Sequence, residues 1–127
     1  MKPIPMTSLR QDWRTPKAFY QALNAEFNFD HDPCPPKAGF DGLARAWGKV
    51  NFINPPFDRI AKWVEKAYQE HLGGAICVLL IPSRTDTRWW HDFCMKASEI
   101  RFIKGRLCYD DIGKPAPFPS CVVIFKP

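Results

Sequence analysis

The fold is decided by residues 50–82, VNFINPPFDRIAKWVEKAYQEHLGGAICVLLIP. Val50 to Ile53 predicts a short strand, and Asp58 is placed to cap the helix that follows. The buried face of that helix is predicted from apolar residues at helical spacing: Ile60, Trp63, Val64, Ala67, Tyr68 and Leu72. Gly73-Gly74 predicts its C-terminal cap. Ala75 to Ile81 is a continuous apolar strand, the pattern expected in a parallel sheet whose faces are both covered by helices.

The flanking segments continue this alternation of strands and helices. Thr15-Pro16 predicts a helix start with the threonine hydroxyl as cap, and Thr85 to Thr87 predicts the cap of another helix that continues through Ala97. Additional strands are predicted at Phe27 to His31, Glu99 to Ile103, Leu107 to Tyr109 and Ser120 to Phe125. This order predicts one α/β domain over residues 1–127, with a mainly parallel sheet, helices on both faces and an irregular arm at residues 1–12.

Composition indicates a globular protein and disfavours disordered, membrane-spanning and disulfide-stabilised classes. An apolar fraction of 46% and an aromatic fraction of 14% are those of a globular domain rather than a disordered chain. We find no signal peptide and no apolar run long enough to span a bilayer, so we expect a cytoplasmic protein without a membrane partner. The five cysteines include no CxxC pair, which disfavours a disulfide framework and a metal site. The net charge of +5 permits binding to a polyanion without requiring it.

The tetrapeptide Asn54-Pro55-Pro56-Phe57, directly after a predicted strand, is the most informative motif. One interpretation is an ordinary turn, because Asn-Pro and Pro-Pro are common in loops. The other is chemical. An amine conjugated to a purine is a poor nucleophile, because its lone pair is delocalised. The Asn54 side-chain oxygen and the Pro55 carbonyl are two acceptors that would draw this nitrogen towards a tetrahedral shape and free the lone pair.

The remaining residues of the tetrapeptide fit the same chemistry. A double proline fixes the backbone and removes competing amide donors. Phe57 offers a flat face on which a base can stack, worth about 1–3 kcal/mol, which offsets part of the cost of flipping a base from a duplex. The proton can leave after methyl transfer, so no general base is required. We therefore assign Asn54, Pro55, Pro56 and Phe57 as candidate catalytic residues.

The whole chain from Trp13 to Phe125 resembles the phage-type DNA adenine methyltransferases. The resemblance rests on the shared order of Trp13-Arg14-Thr15-Pro16, Asp32-Pro33-Cys34, Asn54 to Phe57, Ser83 to His91, Phe102 to Leu107 and Ala116 to Ser120. It implies a compact, reduced Rossmann-like class I methyltransferase fold. It also implies that a methyl group passes from S-adenosylmethionine to the 6-amino group of adenine in DNA, leaving S-adenosylhomocysteine, in a bacterial or phage-infected cell.

The resemblance also suggests a cofactor site. Asp32-Pro33-Cys34 looks like the opening of the first methyltransferase motif, whose acidic residue faces the methionine part. The resemblance also implies that Trp13, Thr15, Pro16 and Asn54 lie against the cofactor. A helix start there offers free amides for the cofactor carboxylate. Larger methyltransferases follow the acidic residue with glycines and carry a second acidic strand end, both of which this chain lacks. Asp41 is the candidate for the ribose contact, with a solvated loop carboxylate as the alternative.

The segment Ser83 to Arg106 is the candidate nucleic-acid interface. It holds six basic and three acidic residues, with two adjacent tryptophans among them, which suits phosphate contacts combined with stacking. The candidate contacts are Arg84, Thr85, Thr87, Arg88, Trp89, Trp90, Lys104 and Arg106. The alternative is a capped helix with one tryptophan in the core and a solvated charged face, since adjacent helical side chains cannot both point inward.

Two other functions stay open at this point. The same tetrapeptide occurs in methyltransferases that act on RNA adenine or on a protein glutamine amide. The short segment between Asp32 and Asn54 also suits an inactive DNA-binding protein on a reduced methyltransferase fold. A separate target-recognition domain does not fit in 127 residues. Sequence specificity is therefore low, or a homodimer completes the DNA surface.

Overall fold

The computed structural model describes residues 13–127, so the predicted arm at residues 1–12 lies outside the described part. The helices and strands, in chain order, are α1 Lys17–Phe27, β1 Val50–Ile53, α2 Ile60–Leu72, β2 Ile76–Pro82, α3 Arg88–Asp92, β3 Glu99–Phe102 and β4 Ser120–Phe125. Short 3-10 turns lie at Gly42–Ala44, Phe57–Arg59, Cys94–Lys96 and Tyr109–Asp111. Across residues 13–127, every helix is too short or too polar to traverse a bilayer.

The four strands form one sheet in the order β1-β2-β4-β3. β1 and β2 are parallel, but β4 is antiparallel to both β2 and β3. The prediction of a mainly parallel sheet is therefore wrong, because two of the three strand pairs are antiparallel. The cause is the final strand, which inserts between β2 and β3 in the reverse direction, while β1, β2 and β3 run the same way. His31 adds an isolated parallel bridge to Asn51 at the outer side of β1.

Helices cover both faces of this sheet. The ring of Tyr20 in α1 lies 5.1 Å from that of Phe52 in β1. Phe125 in β4 contacts Tyr68 in α2 at 5.9 Å. Phe125 pairs with Cys77 in β2, and Cys77 pairs with Asn51 in β1, so all three side chains share a face. Because side chains alternate along a strand, Phe52 points to the opposite face. The expected three-layer arrangement is present.

Several predicted elements match the structure closely. β1 and β4 have the predicted bounds. Of the predicted α2 face, Ile60, Trp63, Val64 and Ala67 are buried, but Leu72 is 61% exposed in the last turn, so its predicted burial is wrong. Gly73 ends α2, and Gly74 has φ +107°, a backbone conformation that favours glycine. The hydroxyl of Thr87 accepts a hydrogen bond from the Trp90 amide (3.3 Å), as a cap should. That helix ends at Asp92, however, instead of continuing through Ala97.

Other local predictions are wrong because a distant partner or a tighter turn takes over. The Thr15 hydroxyl does not cap α1, since it accepts a hydrogen bond from Asn54 instead. Asp58 does not cap α2, because it lies within a 3-10 turn that precedes the helix. The predicted strand at Leu107 to Tyr109 is a loop that leads into a 3-10 turn. Of the predicted strand Phe27 to His31, only the His31 bridge forms.

Asn51 is a fully buried polar residue within β1. Its Oδ1 accepts from the Gly48 amide (2.8 Å), and its Nδ2 donates to the carbonyls of Gly48 (3.0 Å) and Ile76 (3.2 Å). These bonds fix the turn that enters β1 and join β1 to β2.

Replacing this amide tests its contribution to stability. We expect Asn51→Leu to lower the free energy of unfolding by about 1–3 kcal/mol, because buried backbone groups lose their partners. Urea denaturation provides the measurement, and Gln69→Leu on the exposed side of α2 is the control, expected to change stability by less than about 0.5 kcal/mol. Equal effects of the two substitutions would contradict this role.

Candidate active site

The tetrapeptide Asn54 to Phe57 follows β1 directly, at the carboxyl end of that strand. β2 runs parallel to β1 and ends at Pro82 on the same edge of the sheet. Ligand sites in open α/β sheets lie outside the carboxyl ends of parallel strands. Asn54 is half-buried and Pro55 is buried, so the tetrapeptide forms the floor of this edge.

Both hydrogens of the Asn54 carboxamide have partners in the segment before α1. Nδ2 donates to the carbonyl of Trp13 and to Oγ1 of Thr15 (3.0 Å). Because a carbonyl can only accept, the nitrogen must lie on this side and Oδ1 on the other. Within residues 13–127, no hydrogen bond reaches Oδ1. The side chain therefore presents a free acceptor at the edge of the sheet.

A cavity of about 310 Å³, here called cavity A, lies between α1 and the segment before β1. It is lined by Arg14, Thr15, Lys17, Tyr20, Asp32, Cys34, Pro36, Phe52 and Asn54. The lining combines two cationic side chains with one carboxylate. Such a surface suits a ligand that carries both charges.

Asp32 is held in cavity A by a local turn, in which its Oδ1 accepts from the Cys34 amide (3.0 Å). Burial raises the pKa of this carboxyl, and the bond from Cys34 opposes the rise. No salt bridge to Asp32 forms among the described residues. A cationic ligand group in the cavity would therefore stabilise its charged form.

A larger cavity of about 610 Å³, cavity B, adjoins the first and shares Cys34, Pro36 and Asn54 with it. The rest of its lining comes from the loop after Asp32, from the tetrapeptide and the 3-10 turn that follows it, and from α2: Pro33, Pro35, Lys37, Ala38, Gly39, Phe40, Asp41, Gly42, Pro56, Arg59 and Trp63. A Cβ atom at Gly42 would lie 1.8 Å from the Pro33 carbonyl oxygen, so only glycine fits this loop.

Asp41 lies at the exposed rim of cavity B. Its Oδ1 accepts from the Leu43 amide (3.0 Å) and caps the turn at Gly42–Ala44. Trp47 secures this turn from below, donating from Nε1 to the Gly42 carbonyl (2.8 Å). This cap uses only one oxygen of the carboxylate, so capping and ligand contact are compatible.

The predicted stacking face of Phe57 is covered in this structure. Phe57 is 6% exposed, and the indole of Trp13 stacks on it with centroids 6.0 Å apart and planes at 18°. Phe118 packs against the same ring at 5.0 Å and 74°. Trp13, expected against the cofactor, lines neither cavity A nor cavity B, and buried Pro16 does not line them either. The expectation of an open face on Phe57 is wrong for this conformation.

A groove of about 400 Å³, here called the basic groove, opens beside the tetrapeptide. It is lined by Phe57, Asp58, Arg59, Ile60, Ala61, Lys62, Arg84 and Trp89. Trp89 is half-buried and lines the groove, whereas Trp90 is 2% exposed and packs near Phe102. The prediction that Trp90 contacts nucleic acid is therefore not supported by its position, because it has no surface to offer a base.

The other predicted nucleic-acid contacts do not line the basic groove and are spread over separate parts of the structure. Thr85 is exposed before α3, and Arg88 is exposed as the first residue of α3. Lys104 and Arg106 lie on an exposed turn outside the groove lining. The Thr87 hydroxyl is engaged locally, donating to the Arg84 carbonyl (2.7 Å).

Arg101 contributes to the positive charge of this segment without facing the groove. It donates to both carboxylate oxygens of Glu26 (2.7 and 2.6 Å) and to Glu99 (2.6 Å). These bonds place it on the α1 face of the sheet, and they lower the pKa of both carboxyls.

Sequence reasoning missed several residues that line these sites. Arg14, Lys17 and Tyr20 line cavity A, and Arg59 and Lys62 line the basic groove. One signal was available, since Arg59 and Lys62 are two cationic residues spaced three apart shortly after the tetrapeptide, at the predicted start of a helix.

A family model described as DNA N-6-adenine-methyltransferase (Dam) matches residues 5–116. No curated protein and no solved structure matches the chain. Nothing in the family match favours RNA, a glutamine amide or an inactive DNA-binding protein as the alternative. Because the match spans most of the chain, this protein belongs to the DNA N-6-adenine-methyltransferase (Dam) family and is an S-adenosylmethionine-dependent enzyme that methylates adenine at N6 in DNA.

Proposed function

We propose that cavity A binds the methionine end of S-adenosylmethionine. This end carries an ammonium and a carboxylate, which match Asp32 on one side and Arg14 with Lys17 on the other. The side chains carry this recognition, because the first amide of α1, that of Lys17, already donates to Asp111 Oδ2 (2.9 Å). That bond weakens the interpretation of the helix start as a carboxylate site. Thr15 supplies a neutral hydroxyl to the same cavity.

Cavity B then takes the adenosyl portion of the cofactor, with Asp41 at the ribose hydroxyls. Its volume of about 610 Å³ lies within the range of small-molecule sites, and the buried ring of Trp63 contributes an apolar wall. The two ends of the cofactor would meet where the cavities meet. Asn54 lines both cavities, which places its carboxamide beside that junction.

The function rests on this position of Asn54. When bound, the cofactor supplies a methyl group on a positively charged sulfur. Asn54 Oδ1 and the Pro55 carbonyl accept the two hydrogens of the adenine 6-amino group, which frees the nitrogen lone pair. The Pro56 carbonyl is already used by the Arg59 amide (3.3 Å), which leaves Pro55 as the backbone acceptor. The amine proton leaves once the nitrogen carries the methyl group.

Stacking of the target base on Phe57 requires the indole of Trp13 to move aside. Phe57 has two ring neighbours, and Phe118 is 4% exposed whereas Trp13 is only partly buried. Trp13 is therefore the ring that yields. The base replaces the indole on Phe57, and the moving indole also gives up its edge contacts with Tyr109 (5.8 Å) and Phe118 (5.2 Å). Only part of the stacking energy of about 1–3 kcal/mol is therefore net gain.

The basic groove is the proposed path of the DNA backbone. Arg59, Lys62 and Arg84 line it together, and Phe57 and Trp89 lie in the same lining. Cations contact phosphates while the aromatic groups contact bases, the combination used by proteins that bind unstacked nucleotides.

The role of Asn54 is tested by its removal. We expect Asn54→Ala to retain the fold and to lose methyl transfer, with a rate at least 100-fold lower, because one of the two acceptors is gone. The measurement is incorporation of labelled methyl into DNA followed by nucleoside analysis. Near-normal formation of N6-methyladenine by a folded Asn54→Ala protein would exclude the proposed reaction.

The pH dependence of cofactor binding tests Asp32. Its ammonium partner requires the carboxylate, and burial raises the Asp32 pKa, so affinity should increase as pH rises through that raised pKa. Asp32→Asn should remove this dependence and weaken binding about 10- to 100-fold at neutral pH. Titration calorimetry at several pH values measures both effects.

The same substitution has an opposite effect on the unliganded protein. A carboxyl whose folded pKa is raised contributes stability at low pH that is lost as pH rises through that pKa. Asp32→Asn should therefore increase the thermal stability of the free protein at neutral pH. A variant that binds the cofactor normally at all pH values would contradict the assignment.

The basic groove is tested by charge removal. We expect Lys62→Gln and Arg84→Gln each to weaken DNA binding and to reduce the salt dependence of log K by about 1. Lys49→Gln is the matched control, because this exposed lysine precedes β1 at the opposite end of the sheet. A salt slope that falls equally for Lys49→Gln would place the DNA elsewhere.

A further inference from the structure

We infer that Thr15 is a positioning residue for methyl transfer, which holds the Asn54 carboxamide in the orientation that presents Oδ1 to the target amine. This inference rests on the acceptor role proposed for Asn54. It gives Thr15 a role in the rate of the reaction, in addition to its place in the wall of the cofactor cavity.

The first argument is the pairing of the amide. Asn54 Nδ2 has two hydrogens, and they go to the Trp13 carbonyl and to Thr15 Oγ1 at 3.0 Å. If the amide rotated by half a turn, Oδ1 would face the Trp13 carbonyl, and two acceptors would be in contact. The Trp13 carbonyl therefore sets which end of the amide faces this segment, and the Thr15 hydroxyl is the second anchor that fixes the plane of the amide and the position of Oδ1.

The second argument is that the Thr15 hydroxyl has no local role. A threonine before a helix ordinarily accepts from a helical amide, but α1 has no side-chain cap. The hydroxyl instead reaches Asn54, which is 39 positions away in the sequence. Its own hydrogen is left to donate elsewhere, and Thr15 lines cavity A. A carboxylate bound there can accept this hydrogen and strengthen the bond from Asn54.

The third argument is that the segment carrying Thr15 is fixed from outside. The Arg14 amide donates to Asp110 Oδ1 (2.9 Å), the Asp110 amide donates to the Arg14 carbonyl (2.9 Å), and the Lys17 amide donates to Asp111 Oδ2 (2.9 Å). The backbone around Thr15 therefore keeps its place when the side chain is changed. A substitution at Thr15 removes the contact to Asn54 without releasing the segment.

The test is the isosteric substitution Thr15→Val, with Thr15→Ser as the matched control that keeps the hydroxyl. At saturating cofactor and DNA, we expect kcat to fall about 10- to 100-fold in Thr15→Val and to recover in Thr15→Ser, because a misaligned acceptor slows the chemical step. Thr15→Ala should show the same loss as Thr15→Val, and provides the measurement if the valine variant does not fold. Single-turnover methylation measures the chemical step directly.

The double variant Thr15→Val with Asn54→Ala identifies the route of the effect. If Thr15 acts through Asn54, its substitution should cause no additional loss once the carboxamide is absent. Full kcat in both Thr15→Val and Thr15→Ala, or equal impairment of Thr15→Ser, would overturn the inference. A change confined to the KM for the cofactor would also overturn it, since it shows cofactor binding alone. Substantial activity of Asn54→Ala by itself would instead remove the proposed reaction.

Discussion

The hydrogen bonds from the Asn54 carboxamide to Trp13 and Thr15 are the contact on which the site depends. They join the segment before α1 to the carboxyl end of β1, across 41 and 39 positions of sequence. The same two bonds orient the side-chain oxygen of Asn54 and tie this residue to the approach of α1. Cavity A lies at this junction, and α1 and its approach supply four of the residues in its wall. The Asn54 carboxamide thus contributes hydrogen bonds to the fold and, in the proposed reaction, the acceptor for the target amine.

The reversed direction of β4 has a functional consequence. Because β4 runs opposite to β2, its first residue, Ser120, pairs with Pro82 at the edge of the sheet that carries the site. The loop before β4 therefore returns to this edge. Tyr109 is anchored there by a hydrogen bond to Ser120 (2.9 Å), and the next two residues bind the backbone of Arg14 and Lys17. Asp110 and Asp111 both have positive φ, at 64° and 56°, which aspartate tolerates better than most residues. A parallel final strand would leave this support on the other edge.

The sequence predicts the fold correctly where an element is determined by interactions between residues close to one another in the chain. β1, β4 and the buried stripe of α2 follow from apolar patterning, and the tetrapeptide lies at a strand end as expected. The errors occur where a distant group competes with a local one. Thr15 has the sequence pattern of a helix cap, but its hydroxyl accepts a hydrogen bond from Asn54 instead. The residues around Thr15 in the sequence do not predict this contact.

The candidate site was predicted less completely than the fold. Asp32, Cys34, Asp41 and Asn54, all named from the sequence, line the two cavities. The cationic residues of cavity A were not predicted, because they are far from Asp32 in the sequence and come close to it only in the folded chain. The direction of a strand is likewise determined by contacts that the local sequence does not reveal. An apolar run such as Ser120 to Phe125 has the same pattern in either direction, so patterning predicted the strand but not its orientation.

The stacked pair formed by Trp13 and Phe57 has a consequence for selectivity. For any base that docks on Phe57, the enzyme's own indole is a competitor present at a fixed, high local concentration. A nucleotide that makes no other contact with the site gains too little binding free energy to displace the indole. In the proposed reaction, an adenine that also engages both acceptors gains more free energy and displaces the indole more readily. Displacement of Trp13 would then be a threshold that favours bases able to make those two hydrogen bonds before methyl transfer.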